Sequence, residues 1–311
     1  MTVIASIFRR PVALRRSWLF TAGLDPVAHQ HALESGADVV VADLEEFTAV
    51  TDRPQARQNI VELLAACKAH MTVGAVRINL LANDGLEDLA VVMRGAPDAV
   101  FLPTVESAAQ IKALDDAISA HEVALGMVPG STEIVPTLES ALGIVRAQEI
   151  LNASPRVSAC LLAAEDLTAD LGAERGPDST ELNHLRARFL VDCVAARRVA
   201  IDCPFNYRGS PAQMADLVWA RRIGLKAKCA VFPEQVALIH GCLTPDEATV
   251  RKARSTVARF EAQRRAAPDP EAAAPVDPPD FHTARRLLAR HDAFQNWAAV
   301  LQPHHRQGAI T

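Results

Sequence analysis

SACLLAAEDLTADLG, residues Ser158–Gly172, is the stretch on which the reading of the chain turns. An apolar run, Cys160-Leu161-Leu162-Ala163-Ala164, ends abruptly in Glu165-Asp166, and a helix-like segment follows. A buried strand with a carboxylate at its C-terminal end is how a parallel α/β barrel presents a metal ligand or a catalytic acid. Two other segments share the design. Ile134-Val135-Pro136-Thr137-Leu138 runs into Glu139 before Ser140-Ala141-Leu142-Gly143 opens a helix, and Gly74-Ala75-Val76 runs into Arg77.

Working outward, apolar or β-branched runs recur at 16–22, 38–45, 74–80, 99–105, 134–139, 158–166, 200–205 and 229–233, each followed by a helical stretch. Strict alternation implies a parallel sheet, and eight units imply a closed (β/α)8 TIM barrel. The competing open, doubly wound sheet carries a Gly-rich first turn. Here that turn is Thr21-Ala22-Gly23-Leu24-Asp25, and no Gly-x-Gly occurs in the chain. The helix after the fourth run is expected over 106–120, and His121–Gly130 is left unassigned. Residues 1–243 are read as the barrel and 244–311 as an additional C-terminal helical segment, with a Pro/Ala-rich connector at 266–280. The last helix, Phe281–Leu301, has no partner in the barrel by sequence order and is expected to pack on a neighbouring subunit.

Composition narrows the function classes. Of 311 residues, 50% are hydrophobic, which allows a large core. No apolar run is long enough for a membrane span, and MTVIASIFRRPVALRRS reads as an arm into the first strand, not a signal peptide. A net charge of −5 argues against general nucleic-acid binding. Cys67, Cys160, Cys193, Cys203, Cys229 and Cys242 lack Cys-x-x-Cys spacing and read as buried thiols of a reducing cytoplasm. Arg186, Arg188, Arg197 and Arg198 read as an exposed basic helix face.

On the barrel plan, Glu139 and Asp166 lie on adjacent strands, five and six. Hard oxygen donors suit Mg²⁺ or Mn²⁺, which leaves positions for water and a 2-oxo or 2-hydroxy acid. Arg77 adds a positive fork for a carboxylate or enolate oxygen. Glu46 is assigned to a water of the metal shell or to a contact behind the metal ligands. Arg15 and Arg16, beside the first strand, are candidate phosphate ligands. Together these fit carbon–carbon bond cleavage or formation through an enolate. The structural alternatives are a helix-start role for Glu139, an N-cap role for Asp166 and a structural ion pair for Arg77.

From Arg15 to about His240 the chain resembles the citrate lyase β-subunit-like branch of the HpcH/HpaI aldolase family, which includes malyl-CoA lyases. The resemblance rests on RRSWLF, SGADVVVADLEE, VRIN, VFLPTVES, VPTLESALGIVRAQEI, AAEDLTADLGAERG, AIDCPF and FPEQV. It implies Mg²⁺ on Glu139 and Asp166, Arg77 at the reacting oxygen, an acyl thioester (CoA or carrier-bound) as enolate donor, a small 2-oxo acid or glyoxylate as partner, and homo-trimers or hexamers. It also implies that the C-terminal segment reaches a neighbour's site with an acid, for which Asp277 is the nearest candidate. The chain departs from the family pattern at Ala22-Gly23, Leu24-Asp25, Glu46, Thr104 (usually Lys) and Phe232 (usually His). Two other functions stay open: a thioester hydrolase on the same scaffold, and a non-catalytic ligand-binding barrel.

Overall fold

The structure is a computed structural model, and it describes residues 9–265 and 275–305. Eight strands close a parallel barrel in sequence order: β1 Ser17–Ala22, β2 Val39–Asp43, β3 Val73–Arg77, β4 Ala99–Leu102, β5 Glu133–Leu138, β6 Ala159–Leu162, β7 Val199–Asp202 and β8 Ala227–Ala230. Strand β8 pairs back onto β1 through Trp18 and Cys229. The barrel expected from the strand–helix alternation is the one observed. The helices between and after the strands are α1 Pro26–Glu34, α2 Arg53–Ala69, α3 Leu86–Val92, α4 Ala108–Ala124, α5 Ala141–Val145, α6 Ala147–Leu151, α7 Ala164–Asp170, α8 Asn183–Ala195, α9 Ala212–Ile223 and α10 Gln235–Leu243. Then come α11 Glu247–Arg265 and α12 Pro278–His305.

Side-chain alternation along each strand divides two cores. Trp18, Phe20, Val39, Val41, Val73, Ala75, Phe101, Val135, Leu161 and Cys229 fill the barrel interior. Leu19, Val40, Ala42, Val76, Val100, Ile134, Cys160 and Leu162 face outward and pack under the helices. The same parity carries upward. Val41 points in, so Asp43 points in; Ala75 sets Arg77; Val135 sets Thr137 and then Glu139. The period-2 pattern that builds the core thereby aims these charged residues at the barrel mouth.

The base is closed by ion pairs. Arg15 is buried and grips Glu133 at two points, 2.7 and 2.9 Å. Arg16, with Arg15 a candidate phosphate ligand, lies just before β1, at the end of the barrel opposite Arg77. Its guanidinium donates to both oxygens of Asp38, each at 2.9 Å. The structure therefore separates Arg16 from the mouth residues.

Two further expectations are corrected. His121 belongs to the last turns of α4, which runs to Ala124 before the loop to β5. Arg186 is not on an exposed face. It is 1% exposed and bonds Asp202 and Asp216, because α8 turns that side onto the barrel. All six cysteines are free and buried, as expected.

The contacts divide the chain into two units, Met1–Leu243 and Thr244–Thr311. In the second, α12 packs on α11, with Phe260 stacked on Phe281 at 4.2 Å and Trp297 buried. The last helix thus packs on α11 within the second unit. Residues 1–8 of the amino-terminal arm and 266–274 of the connector lie outside the described residues.

Candidate active site

Arg77 is the last residue of β3, directly paired in register with Asp43, the last of β2. Its Nε donates to Asp43 Oδ1 at 2.7 Å and its Nη2 to Oδ2 at 2.6 Å. Nη2 also donates to Glu46 at 3.1 Å, and Nη1 lies 3.1 Å from Glu45. Phe20 and Phe47 flank the guanidinium at 5.2 and 5.8 Å. Burial alone would lower the pKa of Arg77; Asp43, Glu45 and Glu46 more than offset it and hold the group charged. The Arg77 ion pair anticipated as a structural alternative is thus present, and it orients the fork instead of removing it from the site.

Asp43 is fixed in turn. Its carboxylate accepts the backbone N–H groups of Glu45 and Phe47, at 3.0 and 2.9 Å, which curls the segment after β2 over the mouth. That curl brings Glu45 and Glu46 to Arg77. Burial pushes Glu45 up to about 7; Arg77 opposes this, while Asp43, Glu139 and Glu46 add to it.

Glu139 follows β5 and is buried. It does not cap the next helix. Ser140 does, its hydroxyl accepting from Gly143 N–H at 3.1 Å. Glu139 Oε1 instead accepts both the backbone N–H and the hydroxyl of Thr104, the latter at 2.7 Å. Burial raises the pKa of Glu139, the Thr104 bonds oppose this, Asp166 raises it further, and Arg77 opposes.

The Thr104 loop is anchored on every side. Val105 N–H donates to Thr137 O at 3.1 Å, and Gln110 Nε2 donates to Thr104 O at 3.1 Å. Gln110 Oε1 accepts from the N–H groups of Glu106 and Ser107. Gly143 lets the loop settle, since a Cβ there would lie 2.7 Å from Val105 O.

Asp166 lies in the first turn of α7, whose N-cap is Ala163, so it is free of the capping role considered for it. It lines a cavity of about 320 Å³ with Glu46, Arg77, Glu165, Phe20, Phe47, Leu161, Asn206, Cys229 and Phe232. Glu139 does not line that cavity, but it directly follows β5, the strand paired with β6, which leads into Asp166, and the charges of Asp166 and Arg77 act on it in opposite senses. Arg77, Glu46, Glu139 and Asp166 are therefore brought together. Asp277 lies in the second unit, where its carbonyl accepts from Phe281 N–H at 3.1 Å.

The site also holds residues that sequence reasoning missed: Asp43 and Glu45 as partners of Arg77, Thr104 as a partner of Glu139, and Asn206. Asn206 Nδ2 donates to Glu165 at 2.6 Å, and its buried Oδ1 has no protein partner. The acids after β2 were visible as a cluster; the other contacts join strands far apart in sequence.

Three carboxylates, Asp43, Glu45 and Glu46, contact the one guanidinium, and Glu139 and Asp166 end the neighbouring strand units at the same mouth. That excess of negative charge and hard oxygen suits a divalent cation such as Mg²⁺. Among the described residues no cluster of three or more His, Cys, Asp or Glu forms a ready-made cage. Mg²⁺ needs none, since it is held by one or two carboxylates together with water and substrate.

The match to known proteins agrees with this geometry. A family model described as HpcH/HpaI aldolase/citrate lyase matches residues 16–215. The chain is 32% identical over 265 residues to citrate lyase subunit beta of Escherichia coli strain K12, covering 85% of this chain and 88% of that protein. It is 31% identical to the L-malyl-CoA/beta-methylmalyl-CoA lyase of Rhodobacter capsulatus, covering 81% and 86%. The crystal structure of protein CitE from Mycobacterium tuberculosis, in complex with magnesium, acetoacetate and coenzyme A, superposes with a TM-score of 0.71 at 26% identity, covering 90% of this chain and 99% of that one. No helix among the described residues is long and apolar enough to cross a membrane. The chain belongs to the HpcH/HpaI aldolase/citrate lyase family, and it is a lyase of that family.

Proposed function

We propose that the protein is a Mg²⁺-dependent carbon–carbon lyase that splits a 3-hydroxyacyl thioester, CoA- or carrier-bound, into an acyl thioester and a small 2-oxo acid or glyoxylate. The observation that carries this is the convergence of Arg77, Glu139 and Asp166 at one barrel mouth. Magnesium in the CitE complex and the CoA thioester named for the Rhodobacter relative support the cofactor and substrate class. Glu139 and Asp166 would hold the Mg²⁺, which when bound polarises the oxygens of the oxo-acid half.

The remaining chemistry belongs to the chain's own groups. Glu45, raised to about 7, is suited to take the proton of the 3-hydroxyl. The C2–C3 bond then breaks. Its electrons pass to the thioester carbonyl as an enolate, while C3 becomes the carbonyl carbon of the departing oxo acid. Arg77, already oriented by Asp43, offers a fixed positive charge to the oxygen on which negative charge develops. Return of the proton to C2 completes the acyl thioester. Phe20, Leu161 and Cys229 give the cavity an apolar wall that keeps water from the enolate. The oligomer that this family resemblance implies, and a role for Asp277 in a neighbour's site, remain part of the proposal.

The test is a panel of 3-hydroxy-3-carboxyacyl thioesters incubated with Mg²⁺ or with EDTA, with products resolved by mass spectrometry. Mg²⁺-dependent release of an oxo acid and an acyl thioester, lost in Glu139→Gln, is the expected result. A second reading rests on Glu45: a base near 7 beside an oxyanion site also suits activation of water. Release of free thiol with no oxo acid would establish a hydrolase instead. Ligand binding without turnover across the panel would point to a non-catalytic barrel.

A further inference from the structure

Thr104 has φ +47°, in the left-handed region. It is the only β-branched residue with positive φ among the described residues; the others are Met71, Ala96, Ser179 and Arg197. A branched Cβ is poorly tolerated there, and such outliers persist only where the surroundings over-determine them. The surroundings here do so, through the anchoring of Val105 on Thr137 and of the Thr104 carbonyl by Gln110. The turned backbone aims two donors of one residue, N–H and hydroxyl, at a single atom, Glu139 Oε1.

We propose that Thr104 is a positioning residue for the cation: it occupies Oε1 of Glu139, so that the carboxylate presents Oε2 alone and binds metal through one oxygen. This rests on the reading of Glu139 as a metal ligand. Two donors on one oxygen fix the plane of the carboxylate and favour its charged form against burial. A Glu held in this way cannot close on the ion with both oxygens, and one more coordination position stays available to water or an oxo acid. No other protein donor or cation reaches Oε2 among the described residues. Mutating a partner that orients a metal ligand typically costs roughly 10–100-fold in metal affinity.

The experiment is calorimetric titration of Mn²⁺ and Mg²⁺ into the metal-free full chain, with melting temperature measured on the same samples. The variants are Thr104→Val, which removes the hydroxyl at nearly constant shape, Thr104→Ser, which restores it, and Glu139→Gln. Thr104→Val is expected to weaken Mn²⁺ binding by roughly 10-fold or more, with the metal-free melting temperature held and Thr104→Ser returning most of the affinity. If Thr104→Val does not fold, Thr104→Gly replaces it, since it also lacks the hydroxyl but relaxes the backbone. Binding lost in Glu139→Gln but unchanged in Thr104→Val or Thr104→Gly overturns the positioning role alone. Absence of metal binding by the wild-type chain, or binding that Glu139→Gln leaves intact, overturns the metal reading itself.

Discussion

Asp43 and Arg77 end two neighbouring parallel strands at paired positions and close a two-point ion pair with contacts of 2.7 and 2.6 Å. Both side chains are buried. Because register fixes the backbones and alternation fixes the direction, the pair is a consequence of sheet geometry, not of side-chain search. A guanidinium locked in this way loses little entropy when it meets a substrate oxygen. It also requires a counter-charge that never leaves, which Asp43 supplies.

Asp43→Asn should therefore reduce both stability and turnover. Removing one partner of a buried pair leaves an uncompensated charge, at a cost of about 3–5 kcal/mol. Urea unfolding at neutral pH measures it directly. A loss below about 1 kcal/mol, the scale of exposed pairs, would mean that Glu45 and Glu46 neutralise Arg77 unaided.

Glu139→Gln should separate stability from function. Burial and Asp166 disfavour the charged form of Glu139 in the fold. A carboxylate with a raised folded pKa subtracts stability at high pH and returns it as pH falls. At pH 8 the metal-free variant should accordingly melt at or above the wild-type temperature. Wild type should gain about 2.7 kcal/mol from Mg²⁺ at 100 times its dissociation constant, and the variant nothing. Equal Mg²⁺ stabilisation of both proteins would remove Glu139 from the metal site.

What could be read from the sequence was what repeats locally. Strand–helix alternation set the barrel, and a charged residue closing an apolar run marked Arg77, Glu139 and Asp166. Whatever depends on partners distant in sequence stayed hidden. Arg186 looked exposed because Asp202 and Asp216, which bury it, lie on other elements. Arg16 read as a phosphate ligand because Asp38, whose carboxylate it grips at the end of the barrel opposite Arg77, lies 22 residues further on. Thr104 was visible as a departure from the family, but its left-handed backbone was not, since nothing in a threonine signals that conformation. The final helix has no barrel partner by sequence order, and its packing on α11 was hidden because no local pattern links the two helices across the connector.

His240 gives a pH dependence with a defined sign. Burial pushes its pKa down to about 4; Asp38 at 3.5 Å opposes this, but Arg16 and Arg10 reinforce it. Proximity to Asp38 would ordinarily hold a proton on the ring, yet the two arginines already satisfy that carboxylate. The ring instead bonds Ser17 Oγ at 2.8 Å. In the unfolded chain the group titrates near 6.5, so between there and 4 the unfolded state holds the extra proton. The contribution is complete above 6.5 and is lost as pH falls towards 4. His240→Gln should flatten the melting temperature across that window; an unchanged slope would assign the acid sensitivity to other groups.

The network behind β7 and β8 makes a further test possible. Lys228, 2% exposed, lies 2.8 Å from both Asp202 and Asp216, while Arg186 contacts the same two acids at 2.6 and 2.7 Å. Two cations against two anions leave the cluster neutral, and burial is tolerable only for that balance. Lys228→Met keeps the volume but leaves one buried negative charge in excess, and should destabilise the protein by about 3–5 kcal/mol. Adding Asp216→Asn restores the balance, so the double variant should be more stable than Lys228→Met alone, a coupling that a double-mutant cycle in urea measures. Strict additivity would show that the two groups are screened from one another. Because Asp202 ends β7 just before Pro204, which lines the cavity, Lys228→Met should also lower turnover, and Asp216→Asn should recover part of it.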